Sequence, residues 1–137
     1  MQELSYNGKL ILGIDHGYGN MKTAHRIFPA SVEPEVQLGA VSLEYKGKEY
    51  GIGGGHKEFQ VEKTHDDDYW ILTLAAIAEE LKFRGKNEAT IHLAVGVPLF
   101  WVKEQKESFR EYLLREEVDF HYNGERYHVN IADATIH

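Results

Sequence analysis

Residues Lys9 to Ile14 read KLILGI and run straight into Asp15 and the turn GYGN, and this junction constrains the fold more than any other stretch. A short apolar run without helical spacing, closed by a turn signal, reads as a strand buried on both faces. Gly17 and Gly19 permit positive φ and a tight reversal. The run from Met21 to Phe28 then returns as an antiparallel partner and stops at Pro29. A carboxylate, two glycines and a lysine therefore meet at one turn, with Lys22 seven residues after Asp15.

That turn has a coherent chemistry. Successive N–H groups of a glycine turn form a concave nest for an anion. Asp15 at the strand end suits a divalent cation held through water, because magnesium keeps several waters and needs only one or two protein carboxylates. Lys22 stands where its ammonium could reach a β- or γ-phosphate oxygen. The same residues also describe a plain β-hairpin with a glycine turn, since short glycine motifs occur often without a ligand.

The remaining elements follow from periodicity. Val41 to Ile52 alternates around Lys46-Gly47-Lys48 as a hairpin that Gly53, Gly54 and Gly55 end. Thr64 and Asp67 stand in capping-box register, and Asp66, Asp67 and Asp68 favour a helix start. From Tyr69 to Phe83 the residues Ile71, Leu74, Ala75, Ala78 and Leu81 fall at helical spacing, with Trp70, Leu72 and Ile77 widening the stripe. This helix is expected to be largely buried, with Gly85 as its stop. Ala89 to Val97 reads as a second buried strand closed by Pro98, and Val102 to Leu114 as an amphipathic surface helix. Val118 to Ile136 alternates on both sides of Asn123-Gly124, a strong hairpin signal. The order of these elements is mixed α/β, with helices packed on a sheet.

Composition narrows the function. At 137 residues and 42% hydrophobic, the chain fits a single domain, residues 1–137, with one core. The absence of cysteine excludes disulfides, thiolate zinc sites and cysteine nucleophiles. A formal charge of −7 argues against direct nucleic-acid binding. No apolar run approaches the ~18 residues that span a bilayer, and no leader is evident, so a cytoplasmic location is expected.

Other motifs have simpler explanations. Gly51 to Lys57 lacks the closing Gly-Lys-Ser/Thr of a phosphate loop, the aspartate run is accounted for by helix capping, and His121 with His128 would be half a metal site at most. No catalytic residue stands out.

The pattern Asp15, Gly17, Lys22 after an apolar strand is similar to the first phosphate motif of the actin, Hsp70 and hexokinase superfamily. NMKTA with FPASV, GIGGG, YWILTLAAIAEEL, and LAVGVPL followed by KEQKESFREYL resemble, in order, the N-terminal domain of bacterial actin-like plasmid-segregation ATPases of the ParM/StbA type. The resemblance implies an RNase H-like lobe, half of a fold in which ATP or GTP with magnesium sits between two halves. By it, Asp15 would organise the magnesium waters, Gly17, Tyr18, Gly19 and Asn20 would offer N–H groups to phosphates, and Lys22 would touch the phosphate tail. His16 replaces a small residue and is expected on the outer side of the turn. The family's second phosphate loop and water-positioning residue lie past His137, so nucleotide binding is expected only of a complete two-lobed protein, and turnover by this lobe alone is expected to be negligible. Implied partners are filament subunits of its own kind and an adaptor protein. The rival reading is a non-catalytic module that binds or caps an actin-like partner. A sugar-kinase-like lobe is disfavoured, as no acid/base aspartate for a hydroxyl substrate stands out.

Overall fold

A computed structural model describes residues 5–6, 9–17, 19–36, 39–53 and 67–137. Its elements are β1 (Ser5–Tyr6), β2 (Lys9–His16), β3 (Asn20–Thr23), β4 (Ile27–Pro29), β5 (Val32–Glu33), β6 (Val41–Tyr45), β7 (Lys48–Ile52), α1 (Asp68–Phe83), β8 (Glu88–Gly96), α2 (Lys103–Leu113), β9 (Arg115–Tyr122) and β10 (Glu125–Ile136).

The described strands form one mixed sheet in the order β4-β3-β2-β8-β10-β9-β6-β7-β5, with β1 added to β2. Strands β2, β8 and β10 are parallel, and their long separation in sequence makes this the non-local centre of the fold. The two end strands of that order, β4 and β5, are separated in the chain only by the buried residues Ala30 and Ser31. The sheet therefore curls until its two ends meet. Ala30 N–H donates to Gly19 O at 2.9 Å and Gly53 N–H to Ser31 O at 3.1 Å, which ties the seam.

Helix α1 lies inside this curl, touching β2, β3, β5 and β9. Every residue from Trp70 to Ala78 is buried, so a helix that is apolar nearly all round finds cover on all sides. Its stop is as expected: Gly85 has φ 71°, and Lys86 N–H donates to Leu81 O at 2.9 Å, closing a Schellman motif. The start is not a capping box. Thr64 and Asp66 lie outside the described residues, and Asp67 occupies the N-cap without a side-chain bond to the helix. Its carboxylate instead accepts from Tyr112 OH at 3.1 Å, which ties α1 to α2.

Helix α2 buries Phe109 and Leu113 against α1 and the sheet. Its charged side is not wholly solvated: Arg110 donates to Ala134 O at 2.9 Å and to Asp133 at 2.7 Å, covering a free edge of β10.

Two strand expectations need correction. β2 is not buried on both faces: Leu10, Leu12, Ile14 and His16 point into the curl, whereas Gly13 and Asp15 are exposed. With both helices on the inner face, the outer face of β2 and β8 lacks a covering layer among the described residues. The return run also breaks after Thr23 into the separate short strands β3 and β4. Both tight hairpins hold, with Lys46-Gly47 at φ 51° and 78° and Asn123-Gly124 at 53° and 83°, the positive values a two-residue turn of this kind requires.

Candidate functional site

The outer ends of the parallel strands carry the candidate site. Asp15 pairs with Lys22 across β2 and β3, and with Gly96 across β2 and β8. Because directly opposed residues share a face, Lys22, Asp15 and Gly96 form one row on the open side of the sheet. They sit at the carboxyl ends of β2 and β8, where open α/β sheets bind ligands. Asp15 and Lys22 are both exposed, and among the described residues neither makes a hydrogen bond or ion pair. Among the described residues, this carboxylate and ammonium stand in register without a structural partner.

Gly96 is the member of the row that sequence reasoning missed. A Cβ at 96 would come within 3.2 Å of Asp15 Oδ1, so the glycine leaves the room in which the carboxylate lies. The signal was the glycine ending LAVG, but its meaning depends on parallel pairing with β2, which the local sequence does not state.

The turn itself differs from expectation. Neither Gly17 nor Gly19 has positive φ. Gly17 is required by close approach instead: a Cβ there would stand 2.6 Å from Asn20 O. Its N–H donates to that same oxygen at 3.0 Å, so this donor is already committed within the turn. Gly19 faces open space. Asn20 is exposed at the start of β3, and Tyr18 lies outside the described residues. His16 does not lie on the outer side of the turn. It is 1% exposed, on the face opposite Asp15, and packs edge-on against Phe109. Thr73 OH donates to Tyr69 O at 2.7 Å, so the His16 Nε2 contact to Thr73 Oγ1 at 2.9 Å is one in which the imidazole N–H donates.

The other motifs stay apart. Of Gly51 to Lys57, only residues 51–53 are described, and they end β7. His128 donates through its Nδ1–H to Asp119 at 2.9 Å and does not face His121, whose cross-strand partner is Arg126. Among the described residues no group of three or more His, Cys, Asp or Glu is arranged to hold a metal. A lone exposed carboxylate beside an open turn still suits a hydrated magnesium, which takes most of its shell from water and phosphate. No described helix is long and apolar enough to cross a membrane.

A sheet curled round one helix carries an exposed acid and lysine in register where its parallel strands end. Residues 13–137 match the family described as actin like proteins N terminal domain, and the chain belongs to that family. Among solved structures it is similar to an AlfA filament bound to AMPPNP, at 20% identity and a TM-score of 0.69, covering 94% of this chain and 54% of that one. It is similar to an Alp12 filament, at 19% identity and 0.68, covering 92% and 45%. It is also similar to ParM of Bacillus thuringiensis with ATP, at 16% identity and 0.61, covering 95% and 45%. These likenesses establish the actin-like fold. The chain spans about half the length of these relatives. A comparison with curated proteins finds no match.

Proposed function

We propose that this chain forms one nucleotide-binding lobe of an actin-like, filament-forming ATPase that serves plasmid segregation. The observation that carries the reading is the exposed Lys22–Asp15–Gly96 row, whose charges have no structural partner. In this reading Asp15 holds water molecules of a magnesium ion, Lys22 neutralises a phosphate oxygen, and the turn from Tyr18 to Asn20 lines the phosphates with N–H groups while the Gly17 N–H stays on Asn20 O. Magnesium, when bound, offsets phosphate charge. Hydrolysis needs a positioned water and charge stabilisation from both sides of the phosphate, so it belongs to a two-lobed protein. ATP or GTP fits the row equally, because the row addresses phosphates and not the base. The solved relatives include AMPPNP- and ATP-bound forms and filaments, which supports nucleotide-linked self-association. The charge of −7 favours an adaptor protein over direct DNA contact, and a cytoplasmic site of action belongs to the same reading.

Calorimetric titration of magnesium-ATP into a complete two-lobed protein that carries this lobe, alongside Asp15→Ala and Lys22→Ala, tests the reading. Saturable binding that both substitutions weaken is expected. Binding insensitive to both would sink the assignment of the row.

A further inference from the structure

Beneath Lys22, the hairpin is gripped by a buried anion. Glu80, near the end of α1, is only 1% exposed. Its Oε2 accepts from the Thr23 hydroxyl at 2.6 Å and from His25 N–H at 3.1 Å. Its Oε1 accepts from Arg84 at 2.7 Å and lies 2.9 Å from His25 Nδ1. Burial by itself would raise its pKa, but the bonds from Thr23, Arg84 and His25 outweigh that and hold it at about 2. Neighbouring residues of the same helix end reinforce the grip. The His25 ring stacks on Phe83 at 3.8 Å, and Arg26 donates to Glu79 at 3.2 Å.

Removing one partner of a buried charge is costly, whereas an apolar replacement of the whole group is often tolerated, so such a cluster is weak as a pure stability device. Its placement points elsewhere. β3 has only four residues, of which Met21 alone is buried, and β4 has three with none buried. Packing alone therefore gives this corner little hold. Thr23 follows Lys22 directly, so its side chain points inward to Glu80 while Lys22 points outward to the row. A slip of one residue would exchange the two faces.

We propose that Glu80 is a positioning residue for the phosphate hairpin, locking β3 from inside the curl so that Lys22 stays in register with Asp15. Its functional half rests on the nucleotide reading above; its structural half does not.

Two measurements decide it, the first on this chain. In hydrogen–deuterium exchange, Glu80→Gln is expected to speed exchange of residues 17–29 about tenfold, the scale of losing a charged hydrogen bond, with residues 115–136 unchanged. Uniform acceleration, or none, overturns the lock. If Glu80→Gln fails to fold, Thr23→Val removes one donor and should give the same selective acceleration; its absence is equally fatal. In magnesium-ATP titration of the two-lobed protein that carries this lobe, Glu80→Gln should weaken binding about tenfold. It should add nothing in a Lys22→Ala background, because the lock acts through Lys22, whereas additive losses would mean general destabilisation and refute positioning. A wild-type two-lobed protein that binds no nucleotide would fell the nucleotide reading, and exchange would then decide the lock by itself.

Discussion

The hairpin of β2 and β3 and the hairpin of β9 and β10 both reverse at glycines, yet they treat their charges in opposite ways. In the second, Asp119 accepts from Arg126 at 2.9 Å and lies 2.9 Å from His128 Nδ1, so the exposed charges satisfy one another. In the first, Asp15 and Lys22 face each other in register without a bond, and a saturated charge, Glu80, lies buried underneath. Even the glycines differ. Gly124 is needed for φ 83° in open space, whereas Gly17 is needed because Asn20 O leaves no room. One hairpin pairs its exposed charges with one another, and the other leaves them exposed and is held from its inner face by Glu80.

The largest effect separating the two hairpins is acid sensitivity. Glu80 sits at about 2 in the folded state against 4.5 ordinarily, so its contribution is complete above about 4.5 and disappears as pH falls toward 2. On the order of 3 kcal/mol is at stake. Exchange at graded pH should therefore show residues 17–29 loosening before residues 115–136, and simultaneous loss would break the contrast.

Next comes ligand dependence. Asp15→Ala is expected to weaken magnesium-ATP binding roughly a hundredfold while leaving the melting temperature nearly unchanged, since the side chain has no structural partner among the described residues. Asp119→Ala should do the reverse, leaving nucleotide affinity intact while lowering stability slightly. Equal effects of both substitutions on binding would erase the distinction.

Smaller again are the glycines. Gly17→Ala forces the turn apart and should cost ~1–3 kcal/mol together with nucleotide affinity, whereas Gly124→Ala pays only left-handed strain of roughly 1–2 kcal/mol without touching affinity. Chemical denaturation beside titration measures both.

The smallest effect concerns His128, whose pKa its bond to Asp119 raises above 6.5. The stabilisation is present below the ordinary value and is lost as pH rises past the folded one. Nuclear magnetic resonance titration of the histidines should find His128 shifted upward, and Asp119→Ala should remove the shift.

Much was legible where the information is local. The strong helical spacing and Gly85 place the end of α1 at Phe83, though not its start, and Asn123-Gly124 announces β9 and β10, because period and turn chemistry act over a few residues. Asp15 and Lys22 were also readable as a pair, since a tight turn between them must bring them together. Where sequence reading failed, distance was the cause. An apolar run such as KLILGI is ambiguous between one covered face and two, and that choice is made by where α1 and α2 pack. The roles of Gly96 and Glu80 arise from contacts with residues more than fifty positions away, for which no local pattern exists.

By itself, then, the sequence determined the strand–turn–strand with its acid and lysine, the apolar helix and the closing hairpin, since each is dictated by neighbours along the chain. Tertiary structure decided that the sheet curls round α1, that Asp15 lies over Gly96, and that Glu80 grips the hairpin from within. Those outcomes depend on the register of parallel strands and on burial from several sides, energies that come into being only when distant segments meet.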